Sequence, residues 1–150
     1  MSVTLNQVRA YLTQDEVNYE AARKLGPDAV PLLLDLVRGG DLNLASKAAY
    51  LASLIPAEAS IGVLEEAARS PEVPVRVAAA AGMRHLSEQG AERVLAVVKA
   101  DPDVGVRKVA LHSAAAFRGA GVVGAVEEMA RHEKEPFLQE LAKKTRLQLK

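Results

Sequence analysis

The chain contains no cysteine and no tryptophan, and its aromatic rings are confined to three tyrosines and two phenylalanines in 150 residues. Without thiols there is no disulfide framework, no thiolate nucleophile and no cysteine-liganded metal site. With so few rings, the stacking platforms on which bases or flat cofactors rest are nearly absent. Charge of one sign is also lacking: 19 Lys and Arg face 19 Asp and Glu, so no global field gathers nucleic acid or an anionic membrane. No apolar run approaches a bilayer span, and the opening MSVTLNQVRA lacks the apolar stretch of a signal peptide. A cytoplasmic protein without membrane contact is expected. What the chain does have is aliphatic side chains, with 49% of residues hydrophobic, and a length that fits one domain spanning residues 1–150.

The hydrophobic residues recur. SPEVPVRVAAAAGMRHL, from Ser70 to Leu86, returns 31 residues later as DPDVGVRKVALHSAAAF, from Asp101 to Phe117. Leu44, Val75 and Val106 share this spacing, as do Ala48, Ala79 and Ala110, and Ile55, Leu86 and Phe117. A second set follows the same period: Leu33, Leu64, Leu95 and Val126, with Leu36, Ala67, Val98 and Met129. Each unit therefore holds two amphipathic helices, and a unit of this size buries its apolar stripe only against a neighbour.

The spacing predicts an all-α solenoid of about ten helices, built from four antiparallel pairs (Gln14 to Arg38, Asp41 to Arg69, Glu72 to Ala100, Asp103 to His132). A half-repeat is expected at each end. Thr4 and Gln7 have capping-box spacing before a short opening helix with Leu5, Val8 and Leu12 on one face. Thr13 and Glu16 repeat that spacing, which predicts a helix to Leu25 with Val17, Ala21 and Leu25 inward, ended by Gly26 and Pro27. Asp28 is placed to cap the next helix, and Asp41, Glu72 and Asp103 to cap the first helices of the later units. In the closing helix from Pro136 to about Leu149, Phe137 lies 31 after Val106 and Leu141 lies 31 after Ala110, which assigns both to the inward stripe. Leu138, Leu147 and Leu149 are not all on that stripe, and three scattered leucines make a small patch, so a monomer is expected, with a weak homodimer through this helix as the alternative. Gly82, within the alanine-rich run, reads as a site of close helix approach.

SPEVPVRVAAAAGMRHL and DPDVGVRKVALHSAAAF resemble the Asp-Pro-x-x-x-Val-Arg-x-x-Ala-Ala pattern of HEAT repeats, in the short bacterial form related to the repeats of phycobilin lyases. The resemblance is strongest from Asp41 to His132. It implies an inter-repeat ladder between the acidic residue at the turn and the arginine of the Val-Arg pair, here Glu72, Asp103, Arg76 and Arg107. Ala45 stands at the arginine position of the preceding unit, so the ladder is expected to be broken there. It also implies that the second helices line the binding surface.

Read by period, the outward positions of those helices form two rows: Asp35, Glu66, Val97 and Glu128, and Arg38, Arg69, Ala100 and Arg131. In the third unit Ala96, Val97 and Ala100 replace charged residues, which predicts an apolar patch within a charged surface. Partner binding is assigned to Asp35, Arg38, Glu66, Arg69, Ala96, Val97, Glu128 and Arg131. Gly119, Gly121 and Gly124 spell G-x-G-x-x-G but lack the strand and βαβ setting that a dinucleotide site requires. His85, His112 and His132 are not at ligand spacing, so neither metal nor cofactor is expected. The leading functional expectation is a non-enzymatic scaffold that binds another protein. A tetrapyrrole lyase or isomerase is the alternative, on the resemblance alone. A HEAT-like DNA-binding protein comes third, disfavoured by zero net charge and the absence of tryptophan.

Overall fold

In the computed structural model, which describes residues 2–149, the elements are α1 (Leu5–Leu12), α2 (Tyr19–Ala22), α3 (Val30–Arg38), α4 (Leu42–Ser53), α5 (Glu58–Ala68), α6 (Val73–Gly82), α7 (Glu88–Val98), α8 (Val104–Ala114), α9 (Ala120–His132) and α10 (Pro136–Gln148). Short 3-10 turns cover Arg23–Leu25, Pro27–Ala29 and Met83–His85, and there is no strand among the described residues. The chain is thus all-α. The helices form two layers: α4, α6, α8 and α10 pack in sequence against one another, and so do α3, α5, α7 and α9. One continuous core runs between the layers from Val8 to Leu149.

Small residues set the spacing within the first layer. Gly82 is buried on α6, and a Cβ there would lie 2.8 Å from the Ser53 Cβ of α4 and 3.3 Å from Leu64 Cδ2. This is the close approach expected from the sequence. Its counterpart one unit on is Ser113, whose hydroxyl donates to the Ala80 carbonyl of α6 at 2.6 Å. On α10 the equivalent residue is Thr145, also buried, with its hydroxyl turned back to the Leu141 carbonyl at 2.8 Å.

The N-terminal unit departs from the expected pattern. The Thr4 and Gln7 capping box is present on α1, but Leu5 is exposed and only Val8 and Leu12 are buried. Thr13 does not open a helix: its hydroxyl donates to the Arg9 carbonyl and closes α1. Lys47 Nζ of α4 also donates to the carbonyls of Leu12 and Gln14. Residues 13–17 therefore serve the end of α1, and α2 starts only where the Asn18 carboxamide accepts from the Ala21 N–H. Ala22, not Ala21, is its buried residue. Asp28 lies inside a 3-10 turn and does not cap α3, whose N-cap position is Ala29.

The inter-unit ladder exists with other carboxylates than expected. Arg76 binds Asp101 through two nitrogens, at 2.8 and 3.2 Å, and Arg107 binds Glu133 likewise, at 2.8 and 3.0 Å. Asp103 instead caps α8 by accepting from the Val106 N–H, as Asp41 caps α4 from Leu44. Glu72 makes no side-chain cap. Each partner stands two residues before its N-cap. There Ser70, Asp101 and Glu133 also accept from the backbone N–H of Glu72, Asp103 and Glu135. The carboxylate side chains of Asp101 and Glu133 are only 5% and 3% exposed. The expected break at Ala45 is real on both sides, because its opposite residue is Ser70.

Asp101 and Glu133 are 32 residues apart, so one residue has entered before α10. The insertion turns α10 by about 100° relative to the 31-residue register. Leu138 and Ala142 replace Phe137 and Leu141 as the buried counterparts of Val106 and Ala110. Phe137 is 55% exposed and Leu147 63%, whereas Leu138 and Leu149 are in the core. The leucine patch expected on the closing helix is accordingly not formed as predicted.

Gly82→Ala gains helix propensity, about 1 kcal/mol, but forces α4 and α6 apart. A net loss of about 1–2 kcal/mol is expected in urea unfolding. Glu133→Gln leaves the partly buried Arg107 guanidinium without its charge partner and should cost about 3 kcal/mol at neutral pH. The Arg107 hydrogen bonds hold the Glu133 carboxyl below its usual range, against the opposing effect of burial. Its stabilisation is therefore complete above the unfolded-state value near 4.3 and fades as pH falls through the lower folded-state value. Unfolding curves for wild type and Glu133→Gln should converge on acidification through that window.

Candidate functional site

The helices α3, α5, α7 and α9 present their C-terminal turns side by side, and the two expected rows lie along them. Arg38 Nε donates to Glu66 Oε1 at 2.8 Å, joining α3 to α5 over a step of 28 residues. The same step from Arg69 reaches Val97, and from Ala100 it reaches Glu128; neither can form an ion pair. Glu128 is instead engaged by Lys99, one residue earlier, with Nζ donating to Oε2 at 2.7 Å. That hydrogen bond holds the Glu128 carboxyl below its usual range, and the Glu66 hydrogen bond raises the already high pKa of Arg38.

The expected residues therefore divide. Arg38 with Glu66, and Glu128 with Lys99, are mutually satisfied pairs across neighbouring helices. Asp35 and Arg131 are exposed and make no ion pair among the described residues. Ala96 and Ala100 are exposed and Val97 is half-buried against the core, so the apolar patch is present. Among the described residues Arg69, exposed at the end of α5, makes only a 3.3 Å hydrogen bond to the Glu65 carbonyl. The two carboxylates of the preceding turn are taken, Glu66 by Arg38 and Glu65 by Arg93, which also holds Glu58 at 3.1 Å, and Glu72 on the following turn makes no ion pair with it among the described residues.

Beside the patch is a cleft of about 320 Å3 between the C-terminal ends of α7 and α9. Ala100 and Met129 supply apolar lining, the Lys99–Glu128 pair lies along it, and His132 and Pro102 border it. It opens where the row loses an arginine at Ala100. Lys99 and this cleft were not legible as functional features, since Lys99 stands one position off the row and the cleft requires two helices to be placed. The one signal in the sequence was the alanine itself.

The remaining candidates have structural roles. Gly119 and the residue before it donate their backbone N–H groups to Glu88 Oε1 at 2.7 and 3.1 Å. The start of α9 thus already holds an anion from α7, and the Glu92 carboxylate lies against Gly121. His85 shares a 3.1 Å hydrogen bond with the Tyr50 hydroxyl, and Tyr19 packs edge-on to Tyr50 with ring centroids 5.0 Å apart. Burial, then Arg84, lowers the His85 pKa. Among the described residues no three His, Asp or Glu side chains form a metal-binding group. A second cleft, about 360 Å3, lies at the opposite edge between Ile61, Pro56, His85 and Ser87.

No protein-family model and no curated protein matches the chain. Among the described residues no helix is long and apolar enough to cross a membrane.

Nothing lies near a Cβ added at Gly124, inside α9. Gly124→Ala should therefore leave the fold intact and raise its stability by about 0.5–1 kcal/mol. Thermal unfolding checks this, and a destabilised variant would show that the third glycine of the triplet is structurally required.

Proposed function

We propose that this chain is a HEAT-like α-solenoid that works as a non-enzymatic docking module, binding another protein across the α3, α5, α7 and α9 layer in the cytoplasm. The observation that carries the reading is the interruption of the cross-helix ion pairs at Val97 and Ala100, with a cleft beside it. Charged side chains that pair within the molecule are already satisfied and contribute little to a partner. Apolar surface that can be covered, next to a recess, is where association gains free energy. Stacked repeats supply such surfaces along one layer, because each unit adds an equivalent helix end.

The tetrapyrrole alternative draws no support from the cleft. Its volume is at the low end for small-molecule sites, and its lining contains no Phe, Tyr or Trp. Nucleic acid is disfavoured by rows that alternate in sign and neutralise each other.

A photoreactive benzoylphenylalanine placed at position 97 should crosslink to a protein in cells of the native host, whereas the same residue at position 112, exposed on α8 of the other layer, should not. Equal adducts at both positions, or none at 97, would sink the assignment.

A further inference from the structure

The unoccupied step in the ion-pair row specifies the chemistry of the partner; this rests on the docking reading above. Arg38 on α3 has Glu66 on α5, and Lys99 on α7 has Glu128 on α9. Between them, Arg69 on α5 faces a register position on α7 that is Val97. Its own helix cannot satisfy it, because Glu65 and Glu66 are committed to Arg93 and Arg38. We propose that a carboxylate of the bound protein fills this missing step, accepting from the Arg69 guanidinium, while an apolar side chain of the same segment enters the cleft at Ala100 and Met129.

Arg69 ends α5, and Ala100, the near wall of the cleft, follows the end of the neighbouring α7. Packed helices lie roughly 8–10 Å apart, and extended chain advances about 3.3 Å per residue. Three residues of extended backbone therefore span the distance, which gives the pattern acidic-x-x-apolar. The carboxylate supplies direction and specificity through a charge-assisted fork that guanidinium geometry suits. The apolar side chain supplies burial. A Glu at position 97 would restore the internal row, as Glu66 and Glu128 do in the adjoining units, and would compete with the partner for Arg69.

The probe is a fluorescein-labelled peptide, Gly-Ser-Asp-Gly-Ser-Leu-Gly-Ser, read by fluorescence anisotropy against the full chain at low salt. Binding should weaken about tenfold with Arg69→Ala, the loss expected for one charge-assisted hydrogen bond. Val97→Glu should weaken it similarly, and so should replacing the peptide Asp by Asn or its Leu by Ser. Circular dichroism must show both protein variants folded; should either fail, Arg69→Gln serves in its place. No binding to the wild type, unchanged binding to the variants, or tighter binding of a labelled oligothymidylate than of the peptide would overturn the proposal. Adducts at position 97 with no peptide binding would remove this partner chemistry and leave the docking layer standing, whereas failure of both would remove the docking reading itself.

Discussion

Each unit of this protein depends on its neighbour for burial, and the closeness of that neighbour governs the rest of the architecture. The first-layer helices approach until Gly82 meets Ser53 and the Ser113 hydroxyl meets a carbonyl of α6. On α6, α8 and α10 the row is held by Gly82, Ser113 and Thr145, whereas α4, with no preceding unit of the same kind, carries Leu51 at that position, and other large side chains are at the seam between the layers. Leu33, Leu64, Leu95 and Leu111 lie fully buried there. Close packing also brings the turns between units together, which excludes water from the side chains of Asp101 and Glu133 and gives the two arginine pairs their partly buried setting. A buried pair of this kind adds less net stability than its geometry suggests, because both charges lose hydration. Its firmer consequence is register: a helix slipped by one residue would leave a buried charge unpaired.

That logic explains how the fold absorbs an extra residue before α10. The guanidinium of Arg107 requires a carboxylate at the next turn, and the chain supplies one at Glu133, where the backbone N–H groups of residues 134 and 135 also donate to it. Gln139 then takes the place that Arg76 and Arg107 hold in earlier units, donating to the Glu133 carbonyl as they do to the carbonyls of Ser70 and Asp101. The rotation follows from the ladder, and Phe137 is exposed as a result. At the other end Ala45 and Ser70 omit the pair altogether, and α4 is held to α1 by Lys47 instead.

The second layer obeys weaker constraints. Its ion pairs are largely solvent-exposed, so neither stability nor register depends on them to a comparable degree. This freedom lets one step of the row become Val97 and Ala100 without unfolding the unit. The same freedom leaves Arg69 without an ion pair among the described residues and opens the cleft above Met129.

The sequence alone determined the helix pairs, the all-α class and the rows of outward residues, because burial by helices repeats every 3.6 residues and the units every 31. Those quantities are local and periodic, so they show in Val75 and Val106 or in Leu64 and Leu95 without any structure. It also exposed the apolar interruption at Ala96, Val97 and Ala100. Only the tertiary structure decided which carboxylate each arginine meets, that Glu133 rather than residue 132 continues the ladder, and that Glu128 turns to Lys99. Periodicity states which way a side chain faces, but a pairing depends on how far two side chains from different helices reach. A single inserted residue, or a lysine one place off its row, changes that reach while leaving the local pattern almost untouched.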